Sequence, residues 1–191
     1  MTVRSFLDRT SDLPARSISI EGCGTYEGSP ISDEAISFNV YTNPHFAFSP
    51  DGRKAALSIS EGMVLETFDI SGDITEISTT QYLPVRIVPR KEGSYEMSDR
   101  FVFGVASMCA SNRRIYAAYD GTHYWKDYRA LRGKPGCPPL FNNVAVFDWK
   151  GRPVEMMSTT YRINLLAVDD NNDLYAVVEN SDGQQFLAGI L

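Results

Sequence analysis

The residues with most to offer a ligand lie in one stretch, Thr122 to Phe141, which reads THYWKDYRALRGKPGCPPLF. Tyr124, Trp125 and Tyr128 supply flat π faces that stack on a sugar or another planar apolar surface. Lys126, Arg129 and Arg132 are interleaved with them and hydrogen-bond anionic or hydroxylated groups. The same composition serves a second purpose, in which the aromatics fasten the loop to its own sheet and the charges are solvated. His123 in this stretch and His45 are the only histidines of the chain. Two imidazoles on one face could share a metal or an acid–base role. Neither H-x-H nor H-E-x-x-H spacing occurs, however, and isolated histidines are more often structural.

Other chemistry-bearing clusters are weaker. Asp169, Asp170, Asn171 and Asp173 resemble the opening of a calcium loop. Leu174 stands where such a loop needs glycine, and Asn180 where it needs a bidentate glutamate, so a solvated Asx turn is expected. Asp51 and Asp73 are read the same way. Asp69 and Asp148 each follow a phenylalanine and precede a glycine turn, which suits carboxylates that cap turn backbone. No nucleophile elbow, phosphate loop or dinucleotide fingerprint is present. The sialidase-type Ser-x-Asp-x-Gly-x-x-Trp box is missing too. No catalytic residue, metal ligand or cofactor is therefore assigned. Cys23, Cys109 and Cys137 are too few and too scattered for a zinc site or a disulfide framework. Cys23 and Cys137 fall in long loops and are the pair that oxidation on export would join. Cys109, inside a strand, behaves as a small hydrophobe.

The composition says what must carry these residues. The 191-residue chain is 43% hydrophobic and 12% aromatic, a balance that suits a folded core and leans toward β-structure. Its net charge of −6 lacks the basic face that phosphate neutralisation requires, so a general nucleic-acid partner is not expected. No run of about 18 apolar residues occurs, so no helical membrane span is expected. The opening MTVRSFLDRTSDLP lacks the regions of a secretory signal. That fits either a cytoplasmic protein or a chain whose leader is absent.

Read in order, TVRSFL (2–7) and ARSISI (15–20) are short strands followed by a Gly/Ser-rich loop. From His45, HFAFS, KAALSIS, MVLETFDI and ITEISTTQYL form four strands joined by tight turns, an antiparallel meander. A mixed-charge connection, 84–100, leads to a second meander: FVFGVASMCA, RIYAAYDG, NVAVFDW and PVEMMSTT. The stretch 122–141 is inserted between its second and third strands. INLLAVDD, LYAVVENS and QQFLAGIL open a third. SPDGRKAAL, ASNRRIYAA and DDNNDLYAV occupy equivalent places, as do ETFDISGDI and AVFDWKGRP. Four strands per repeating unit signify β-propeller blades, with a β-sandwich of coincidentally similar turns as the alternative. The blades are 44–83, 101–160 and an incomplete 162–191, with two strands of an earlier blade in 1–22. All the long loops leave the same face, where a rigid scaffold presents function.

The motifs FAFSPDGRKAALS, RIYAAYDG, FDWKGRPVE and INLLAVDDNNDLYAVVEN, in this order and spacing, resemble the TolB-like six-bladed β-propeller family of Bacteroidetes envelope proteins. The resemblance covers roughly 44–191 and more weakly the first 43 residues. It implies an all-β chain forming about half of a six-bladed ring, and a periplasmic or envelope location. It supplies no catalytic residues. Half a ring exposes two sheet edges, so a homodimer that completes the propeller is expected, with an arc closed by its own terminal strands as the competing arrangement. The expected function is non-enzymatic: a scaffold that binds a glycan, peptide or protein partner through its long-loop face. Alternatives are a lactonase-like hydrolase with a metal in the channel, by fold analogy alone, and a structural assembly subunit.

Overall fold

The computed structural model describes residues 44–83, 87–91, 94–121, 124–131, 134 and 139–190. The expected strands at 2–7 and 15–20 lie outside these residues, as do His123, Arg132, Cys23 and Cys137. The described chain is mostly β, built from antiparallel meanders. Strands β1 (His45–Phe48), β2 (Lys54–Ser58), β3 (Met63–Asp69) and β4 (Thr75–Leu83) form a four-stranded sheet in that order. Strands β5 (Ile87–Pro89) and β6 (Tyr95–Met97) form a separate hairpin. Strands β7 (Val105–Ala110), β8 (Ile115–Tyr119), β9 (Asn143–Phe147) and β10 (Pro153–Ser158) form the second sheet, with helix α1 (Trp125–Leu131) between β8 and β9. The third sheet has β11 (Arg162–Val168), β12 (Leu174–Glu179) and β13 (Gln185–Ile190).

The turns show why the sequence repeats. Gly52, Gly151, Asn172 and Gly183 each take positive φ, between 68° and 77°. Each donates its N–H to the carbonyl three residues back, on Ser49, Asp148, Asp169 and Asn180. The side chain at that first position then accepts backbone N–H groups further on. Asp148 Oδ1 takes those of Lys150 and Arg152 at 2.9 and 3.0 Å. Asp169 Oδ1 takes those of Asn171 and Asp173, and Asn180 Oδ1 those of Asp182 and Gln184. Asn172 stands in for glycine because asparagine tolerates the left-handed region. The aspartates therefore act as Asx caps on their turns, as their spacing suggests, and Asp69 does the same for Ser71.

The second sheet lends both its faces to the core. Val105, Met108, Ile115, Ala117, Ala145 and Phe147 pack with Ala47, Ala56, Met63 and Leu65 of the first sheet. On the opposite face Ala118 and Val144, with Cys109, Tyr116 and Met157, meet Ile163, Leu166, Leu174, Ala176 and Val178 of the third. Strand β9 is buried along its whole length for this reason. The first strands lie together, β7 against both β1 and β11. Val105 N of β7 donates to Ile59 O, just past the end of β2, at 3.2 Å, and Leu166 N of β11 donates to Ser107 Oγ of β7 at 3.0 Å. Gly104 presses so closely on the β2–β3 turn that a Cβ there would sit 1.6 Å from the Gly62 carbonyl oxygen.

Three expectations need correction. The connection 84–100 is not plain loop: it folds back on itself as β5–β6, with Ile87 paired to Met97. Strands of three residues are too short for an alternating pattern to register. The insert 122–141 contains a helix, seven residues long, which is below the length at which helical periodicity shows. Asp127 in the first turn and Arg129 in the last complement the helix dipole, whereas Lys126, also in the first turn, does not. The strand expected from Phe101 starts only at Val105. Phe101 and Val102 instead turn toward the insert, where Trp125 N donates to Phe101 O at 2.7 Å and Val102 bridges Tyr124.

Candidate functional site

The candidate site is built on Phe103. Its ring meets Phe101, Trp125, Tyr128 and Phe141 edge-on, with centroids 5.1 to 6.4 Å apart. Such geometry sets the positive edge of one ring against the negative face of another. Phe101 is 1% exposed, and burying a phenylalanine that fully contributes about 1.5–3 kcal/mol. The insert is thus moored to the second sheet through an aromatic cluster. Trp125 is half-buried, fixed by Phe103 on one side and inclined against Tyr128 at 6.3 Å.

The facing wall is the β5–β6 hairpin. Within it Arg90 ion-pairs with Glu96, an exposed pair that adds little stability. The hairpin is tied to the first sheet through Tyr95, whose hydroxyl donates to Glu61 Oε1 at 3.4 Å. Burial pushes the Glu61 carboxyl above the usual carboxylate range, against the opposing pull of hydrogen bonds from backbone and Tyr95. Its Oε2 is buried without a hydrogen-bond partner among the described residues. Tyr95 is pushed up to about 12 by burial and by the Glu61 charge.

Between the two walls lies a cleft of about 550 Å³, lined by Val88, Glu96, Met97, Ser98, Asp99, Trp125 and Arg129. Its volume is in the range of small-ligand sites, roughly 300–1,000 Å³. Asp99 and Arg129 face each other with 4.0 Å between Oδ1 and Nη2. That is too long for a hydrogen bond.

Of the residues that the sequence singles out, Trp125 and Arg129 line this cleft, and Tyr128 supports Trp125 from the aromatic cluster. Tyr124 is 49% exposed and Lys126 is exposed on α1; neither lines the cleft. His45 is engaged elsewhere. Ser60 Oγ donates to the Val105 carbonyl at 3.0 Å, and His45 Nε2 sits 2.9 Å from the same hydroxyl, which it can reach as donor. Burial holds the imidazole below its ordinary range, partly offset by a hydrogen bond to the Val105 backbone. His45 thus joins the first two sheets through Ser60. Among the described residues no group of three or more His, Cys, Asp or Glu side chains is arranged to hold a metal ion. Nor is any helix among them long and apolar enough to cross a membrane.

Sequence reasoning passed over Glu61, Tyr95, Glu96, Ser98 and Asp99. The only signal was topological: 84–100 and 122–141 leave the sheets on the same face. Cys109 is half-buried, and burial pushes its thiol up to about 12, which leaves it an unreactive filler of the second core.

No family model matches the chain, and no curated protein matches it. Among solved structures it is similar to Kuenenia stuttgartiensis hydrazine synthase, at 16% identity and a TM-score of 0.35, over 90% of this chain. The chain spans about half, 49%, of that protein's length.

Proposed function

We propose that this chain is a non-enzymatic binding scaffold whose long-loop face captures a glycan, peptide or protein partner. The observation that carries the reading is the cleft between α1 and the β5–β6 hairpin, where the two long segments converge. Its walls are moored to different sheets, by the Phe103 cluster on one side and by Tyr95–Glu61 on the other. A rigid frame holding polar and aromatic groups around an open cleft suits recognition, because little ordering cost is left for the moment of binding. Nuclear magnetic resonance of the labelled protein, titrated with glycan and peptide mixtures, tests this. Shifts should concentrate on Val88, Glu96 to Asp99, Trp125 and Arg129. Shifts confined to the short turns at the opposite end would sink the proposal.

The arrangement we favour is a half propeller that pairs with a second copy to complete a six-bladed ring. Supporting it are the close approach of the first strands of successive sheets and the three-stranded third sheet, whose β13 edge is open among the described residues. Leu165, Val177 and Leu187 stand in register across that sheet, with Leu165 and Leu187 60% and 70% exposed. An exposed apolar row beside an open edge invites association. Light scattering should give twice the chain mass at micromolar concentration; a monomer overturns the dimer.

A further inference from the structure

We infer that the cleft between α1 and the β5–β6 hairpin is a subsite for a neutral hexopyranose unit of a glycan chain, an assignment that rests on the cleft being the binding site. Trp125 supplies the platform. Its ring is braced by Phe103 at 5.6 Å and by Tyr128 at 6.3 Å, and it is half-buried where it lines the cleft. A braced indole loses little freedom when the apolar C–H face of a sugar settles on it.

The polar lining selects among ligand classes. Glu96 and Asp99 stand on the hairpin side and Arg129 on the helix. Asp99 and Arg129 are 66% and 64% exposed and 4.0 Å apart, so neither has its hydrogen-bonding capacity used up by the other. A carboxylate accepts from hydroxyls and a guanidinium donates to them. Neighbouring ring hydroxyls can do both at once, each donating to Asp99 or accepting from Arg129. An anionic ligand would be set against Asp99, Glu96 being already paired with Arg90, and a cationic one against Arg129. A neutral, hydroxyl-rich ring meets neither repulsion. Among the described residues the apolar part of the lining beyond Trp125 is Val88 and Met97, a small area compared with the side-chain pockets that anchor a peptide.

The test is calorimetric titration of the whole chain with four probes: cellotetraose, mannotetraose, tetragalacturonate and tetralysine. At least one neutral oligosaccharide should bind, and Trp125→Ala should weaken it by about tenfold or more. Arg129→Ala and Asp99→Asn should weaken it about three- to tenfold each, with circular dichroism unchanged. Trp125→Phe, which keeps a ring on the Phe103 cluster, should recover part of the loss. If only tetragalacturonate or tetralysine binds, and Arg129→Ala or Asp99→Asn alters that binding, the hexopyranose assignment fails while the cleft survives as a binding site. Binding of a neutral sugar that none of the variants changes, or no binding of any probe, overturns both.

Discussion

Glu61 sits where the β2–β3 turn meets the hairpin, and its raised pKa gives stability a definite pH slope. In the unfolded chain its carboxyl ionises near 4.5, whereas in the fold it holds its proton to higher pH. Stability from this group is complete below about 4.5 and is lost as pH rises through the folded value. His45 slopes the other way. Its folded value lies below 6.5, so its contribution is complete above that and is lost as pH falls. Glu61→Gln keeps an acceptor for Tyr95 and removes the ionisation. The melting temperature of this variant should match wild type near pH 4 and exceed it increasingly toward pH 7. A difference that is the same at every pH refutes the account. The capping roles of Asp69, Asp148 and Asp169 were legible in the sequence because each acts within four residues of itself. Glu61 and Tyr95 were not, since their contact spans 34 residues and no local pattern reports it.

Elements tell the same story one level up. The strands of the meanders were legible because β-branched and aromatic runs alternate with turns whose Gly or Asn must take positive φ. Helix α1 and the β5–β6 hairpin were hidden because each is shorter than the period that would reveal it. The late start of β7 was hidden for a different reason. FVFGVASMCA reads as one strand, but Gly104 is where two backbones touch, and Phe101 and Phe103 are committed to the insert. Gly104→Ala should therefore cost about 3 kcal/mol or more, since the added carbon meets backbone rather than a movable side chain. Gly183→Asn makes the contrast: the position is open, and asparagine tolerates its φ of 77°. Its loss should stay within about 1 kcal/mol. Urea denaturation of both measures the difference, and equal midpoints would refute the close-contact argument.

At the scale of the whole molecule, the second sheet is the one that cannot leave without dismantling both hydrophobic clusters. Among the described residues the third sheet has one packed face and an open edge at β13, so it should open first. Amide exchange is expected to be fastest in β13 and slowest in β8 and β9. Protection of β13 that rises with protein concentration is the added signature of a second copy covering that edge. Uniform exchange across all three sheets would refute this ordering.

None of α1's residues is buried, although Trp125 and Tyr128 touch the Phe103 cluster. The outward side of the helix therefore carries almost no responsibility for holding the chain folded. Substitutions at Arg129 can change what the cleft recognises, and those at Lys126, Asp127 or Ala130 can change the surface beside it, while the sheets tolerate them. A frame separated in this way from the surface it displays leaves selection free to revise specificity one exposed position at a time, without first having to repair the fold.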